Sequence, residues 1–182
     1  MKRTLINYLG LLGMVSLLSY TAAVIFSPLA YPDYHWLSQA VSDLSAEAAS
    51  SRTLWNQLSA LYMPCGIVCC TVNCIAVAGK YNKMLRLGVY LFALMNWVTA
   101  VGYAMFPLTD AGTPNGFQNI MHLVVTGAVV ALSILALVLM ICGGCFQRQC
   151  RSLGFWAGAA LFLMILGAVG VNLLPRAYFG LA

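Results

Sequence analysis

Apolar residues along this chain do not alternate with polar ones. They run in five blocks, at 5–27, 54–78, 84–106, 119–146 and 153–174, with short polar stretches between them. Each block reaches the about 20 residues needed to cross roughly 30 Å of bilayer hydrocarbon. Lipid offers backbone N–H and C=O groups no partner, so each block is expected to close its own hydrogen bonds as an α-helix. Strands of a membrane barrel would be about ten residues long and alternate in polarity, which these do not. The expected fold is all-α, a polytopic transmembrane helical bundle of five spans forming one domain over 1–182. Lys2 and Arg3 precede the first block. Its apolar stretch outruns the roughly 7–15 residues of a signal peptide, and Pro28 spoils cleavage after Ala30, so it reads as a retained anchor.

Composition sharpens this picture. Hydrophobic residues make up 62% of the chain and charged residues 7%, against about 25% charged in a soluble domain. No Asp, Glu or Lys lies deep in a block. With a cytoplasmic N-terminus, segments 1–4, 79–83 and 147–152 with the adjoining Arg86 hold Lys2, Arg3, Lys80, Lys83, Arg86, Arg148 and Arg151. The opposite loops keep Arg52, Arg176 and all four acids, Asp33, Asp43, Glu47 and Asp110. Lys/Arg bias in short loops sets orientation. It predicts a multi-pass cell-membrane protein with the N-terminus inside and the acidic loops and C-terminus outside.

The outer loops carry the candidate chemistry. From Trp36 onward, Leu37, Ala40, Val41, Leu44 and Ala48 share one helical face, and Ser38, Ser42 and Ser45 form another stripe. A short amphipathic helix is expected there, with Asp33 as its N-cap. Tyr31, Tyr34 and Trp36 suit the headgroup level. In the second outer loop, Thr113 before Pro114 reads as the start of the fourth helix. His122 then lies about two turns inside, with Gln118 and Asn115 on its face. A polar stripe at that depth is expected to look into the bundle. Together the segments predict an outward-facing polar pocket of Ser38, Gln39, Ser42, Asp43, Asp110, Gln118 and His122. Each has a structural alternative too: Ser42 and Asp43 as caps, His122 as a tie to a backbone carbonyl.

Other features add less. Pro64 is expected to kink span two, and Asn73 and Asn96 to bond between helices. Gly154 and Gly158 have the spacing of a close helix contact. The seven cysteines avoid the outer loops, where disulfides would be favoured. They read as small apolar filler, with reversible acylation the alternative at the membrane edge. No metal site, cofactor site or phosphate loop is expected, and no nucleic-acid partner.

The run Leu-Ser-Gln-Ala-Val-Ser-Asp-Leu-Ser-Ala at 37–46, Phe-Pro-Leu-Thr-Asp at 106–110 and His122 opening span four together resemble a prokaryotic membrane family known as domain of unknown function 998. The resemblance covers nearly the whole chain. It implies a helical bundle in which the Ser-Asp of the first loop and the histidine of span four belong together, and it implies no activity. Such proteins often have six spans, so a partner helix or a second copy completing the bundle is expected, alongside membrane lipid. The Ser42–Asp43 and His122 pattern also invites comparison with zinc-dependent membrane hydrolases of the ceramidase and adiponectin-receptor type. Those need three histidines; this chain has two. Three functions remain: binding a lipid-like or small amphipathic ligand in a sensor or accessory role, metal-free hydrolysis or transfer by Ser42, Asp43 and His122, and a small transporter subunit.

Overall fold

The computed structural model describes residues 5–32, 34–36, 39–109 and 116–173, with side chains through Gly167. All its regular elements are helical. Helices α1 (Leu5–Gly10) and α2 (Leu12–Phe26) run on through one turn at Leu11 as the first span, and a 3-10 turn over Ser27–Ala30 extends it. Span two is α3 (Arg52–Leu58) followed by α4 (Tyr62–Val77). Spans three, four and five are α5 (Lys83–Met105), α6 (Phe117–Cys145) and α7 (Arg151–Leu173). Five stretches are long and apolar enough to cross a membrane. Large apolar side chains cover their outer faces, with Leu18, Phe155 and Phe162 all exposed. Water would not tolerate so continuous an apolar surface, and lipid does. The architecture fits a multi-pass membrane protein.

Neighbours in sequence pack as neighbours in space: α2 on α4, α4 on α5, α5 on α6, α6 on α7. Apolar burial does little to hold helices together in lipid, so close backbone approach and polar ties must do more. The α5–α6 contact shows both. A Cβ on Gly143 would fall 2.5 Å from the Leu85 amide nitrogen, and one on Gly88 2.9 Å from the Ala136 carbonyl. Beside them, Asn82 caps α5 by accepting from the Leu85 N–H at 2.8 Å, and donates to the Gly143 carbonyl at 2.7 Å.

The break in span two follows from Pro64. Proline cannot donate to the carbonyl four residues back and its ring clashes there. The helix is interrupted over 59–61, one turn before the proline. Tyr62 N–H bonds Ser59 instead of Leu58, and Ser19 of α2 supplies the missing donor to the Leu58 carbonyl. Two other expectations are corrected. Asn73 and Asn96 bond within their own helices, to Cys69 Sγ and the Phe92 carbonyl one turn back. Gly154 packs against Gly144, whereas Gly158 has only Ile141 Cγ1 nearby, at 4.0 Å.

The 78–82 and 146–150 connections meet at one end of the bundle, through Asn82 and Gln147. Segments 39–51 and 106–109 meet at the other, where Glu47 N–H donates to the Leu108 carbonyl at 2.9 Å. The first can be called the basic end, for Lys80, Lys83, Arg86, Arg148 and Arg151, and the second the acidic end, for Asp43 and Glu47.

Candidate functional site at the acidic end

The short helix of the first loop is present as a single 3-10 turn, Val41–Ser45, rather than an α-helix from Trp36. Its apolar side still does what the periodicity implied, because Leu44 is fully buried. Local polar bonds favour the tighter turn. Asp43 Oδ2 accepts from the Ala40 N–H at 3.2 Å, and Ser45 Oγ donates to the Ser42 carbonyl at 2.8 Å. Side chains bonding nearby backbone in this way compete with an α-helical ladder. Ser51 Oγ, buried, donates to the Leu44 carbonyl and fixes the turn to α3.

The second loop is joined to the first by backbone. Ala48 N–H adds a bond to the Thr109 carbonyl at 3.3 Å. Asn119 anchors this pair from α6. It is buried, and its Oδ1 accepts from both the N–H and the hydroxyl of Thr109, at 3.1 and 2.8 Å. Helix α6 begins at Phe117, after Gly116 at φ +99°, a left-handed conformation that suits glycine. His122 is therefore the sixth residue of the helix, shallower than a start at Pro114 would place it.

Beneath these loops lies a cavity of about 570 Å³. Ser42, Ser45 and Arg52 line its mouth, and Asn56, Ser59, Tyr62, Tyr103 and Thr126 its walls. Met63, Met95 and Val129 supply apolar lining, and His122 is among the polar groups. Two contacts hold the imidazole. Its Nδ1 lies 2.8 Å from the Phe106 carbonyl, which can only accept, so Nδ1 carries the proton. Its ring stacks on Tyr103 at 4.8 Å. Thr126 donates to the His122 carbonyl, so the Tyr103 hydroxyl must donate to Thr126 Oγ1. Nε2 is left as an acceptor with no hydrogen-bond partner among the described residues. That is the arrangement in which one ring nitrogen fixes the tautomer and the other meets a ligand.

The structure thus brings Ser42 and His122 to one cavity and leaves other expected members outside it. Gln118 donates to the Met105 carbonyl of α5 and Gln39 accepts from the His35 N–H, so both are tied to backbone. Asp43 caps its own turn and does not orient His122. Burial raises the Asp43 pKa, partly offset by the Ala40 N–H. Ser38, Asp110, Asn115 and the caps expected at Asp33 and Thr113 lie outside the described residues. Arg52 pairs with Glu47 at 3.6 Å, both half-exposed, a contact worth at most about 1 kcal/mol. It can be given up to a ligand. Sequence reasoning missed the inner walls, above all Tyr20, Tyr62, Tyr103 and Thr126. The signal was there: tyrosines and a threonine recur within otherwise apolar spans.

All seven cysteines are free thiols. No group of three or more His, Cys, Asp or Glu side chains is placed to hold a metal among the described residues. No curated protein and no solved structure matches the chain. One family profile, that of proteins of unknown function DUF998, matches residues 14–182. That match takes in spans two to five, all but the start of span one, and both loops over the cavity, and the chain belongs to the DUF998 family.

Proposed function

We propose that the cavity at the acidic end binds a lipid-like or small amphipathic molecule, in a sensor or accessory role. One observation carries the reading: a single space combines a polar mouth and walls with apolar lining. Convergent polar groups over an otherwise apolar pocket are the usual form of a small-molecule site. The head of the ligand would meet Arg52 and Nε2 of His122, and its tail would lie against Met63, Met95 and Val129. Among the described residues no carboxylate lines the cavity and Arg52 does, which favours a neutral or anionic head. A hydrolase with a serine nucleophile would need its hydroxyl activated by His122, and no serine hydroxyl among the described residues is hydrogen-bonded to it. Binding is the better-supported reading. The distribution of Lys and Arg supports an N-terminus in the cytoplasm and a cavity open to the outside.

Ser45→Cys places a thiol in the cavity lining and tests both statements. In intact cells a membrane-impermeant maleimide is expected to label it, and monolaurin, an uncharged amphiphile, to slow that labelling several-fold. Exposed Cys145, at the basic end, should label only after permeabilisation. Undiminished labelling at saturating monolaurin would rule against the ligand. Labelling of the introduced thiol only in broken cells would reverse the orientation.

A further inference from the structure

A second feature lies at the opposite end, on the lipid-facing side of the α6–α7 pair. An open groove runs down from Arg151 between Cys145, Gly154, Phe155, Gly158 and Phe162. Its floor exists because Gly158 has no side chain. Phe155 and Phe162 are exposed along it. From Arg151 to Phe162 is eleven residues of helix, about 16 Å at 1.5 Å per residue. That is close to the depth of one leaflet, half of roughly 30 Å. An acyl chain laid in the groove would reach the bilayer midplane with its headgroup beside Arg151.

Charge selects among headgroups. Lys80, Lys83, Arg86, Arg148 and Arg151 share this end, and none has an ion-pair partner among the described residues, where Arg52–Glu47 is the one ion pair. The acids among the described residues, Asp43 and Glu47, both lie at the other end. Arg151 also stands at the N-terminus of α7, a helix of 23 residues, where the helix dipole is positive. Guanidinium and helix N-terminus both favour phosphate, and basic sites between transmembrane helices suit anionic headgroups.

We propose that this groove is a site for one anionic phospholipid, its phosphate on Arg151 and one acyl chain against Gly154 and Gly158. It is independent of the cavity at the acidic end, and the variants that test it do not touch that cavity.

The test is native mass spectrometry of the purified full chain, titrated with dioleoyl phosphatidylglycerol or dioleoyl phosphatidylcholine. Wild type is expected to take up the first phosphatidylglycerol at least tenfold more tightly than phosphatidylcholine. Arg151→Gln should bring the two to parity, and Arg151→Lys should keep most of the preference. Gly158→Leu should fill the groove and lose the tight phosphatidylglycerol, with its melting temperature little changed because the added Cβ meets only Ile141 Cγ1, at an uncrowded 4.0 Å. Equal binding of the two lipids by wild type would overturn the proposal. So would undiminished phosphatidylglycerol binding by Gly158→Leu, which would move the site to the other cations.

Discussion

Gly143→Ala is expected to destabilise the protein by about 3 kcal/mol, although alanine is the better helix former. The added methyl would sit 2.5 Å from the Leu85 nitrogen and 2.7 Å from its Cα and Cβ. Backbone cannot rotate out of the way as a side chain can, so α5 and α6 must separate. Separation also stretches the 2.7 Å bond from Asn82 to the Gly143 carbonyl, which makes the contact all-or-none. The same helix supplies the control: a Cβ at Gly127 meets nothing within 4 Å. Gly127→Ala should stay within about 1 kcal/mol of wild type. Thermal unfolding in detergent separates the two, with a fall in Tm on the order of 10 °C expected for Gly143→Ala alone. Similar Tm values for both variants would mean that α5 and α6 do not cross where described.

Asn119→Leu is expected to cost about 2–3 kcal/mol and to loosen the loops above the cavity. Leucine keeps the branching at Cγ but can accept no hydrogen bond, so both bonds from Thr109 are lost. The substitution removes the acceptor of two bonds from Thr109 and leaves a backbone N–H without its partner. Each such loss is worth about 1 kcal/mol or more. Thr109→Val removes only the hydroxyl bond and should cost about 1 kcal/mol. The readout specific to this account is amide hydrogen exchange at Glu47 and Ala48, whose N–H groups donate to Leu108 and Thr109. Exchange there should quicken in Asn119→Leu, while the Asn82 end stays protected. Unchanged exchange at both amides would show that Asn119 does not hold the two loops together.

The spans were legible because lipid imposes a simple rule: a helix that crosses it must be long and apolar, and five stretches are. The separation of basic and acidic loops was equally plain, since connections between spans leave charge only two ends to occupy. Part of the lining of the candidate cavity was readable. Ser42 and His122 do meet one cavity, and Leu44 is buried as its spacing implied. The length of the loop helix was not readable, because Asp43 and Ser45 turn their hydrogen bonds onto adjacent backbone and tighten it. Gln118 shares a face with His122, yet it ends on the Met105 carbonyl, a partner that no helical wheel contains. The walls were least visible. Tyr20, Tyr62 and Tyr103 come from three spans, and only packing brings them together. Asn73 and Asn96 teach the converse, since a polar residue in lipid can be satisfied one turn back on its own helix.

The central claim is that the acidic end holds a preformed space for an amphiphile. It is tested most directly by solving the structure of the protein purified in its native lipid. The account predicts elongated non-protein density, its polar end within hydrogen-bond distance of His122 Nε2 and Arg52 and its tail along Met63, Met95 and Val129. A closed junction, with Nε2 bonded to a protein side chain and the space between Ser42 and Val129 filled by the chain itself, would contradict it.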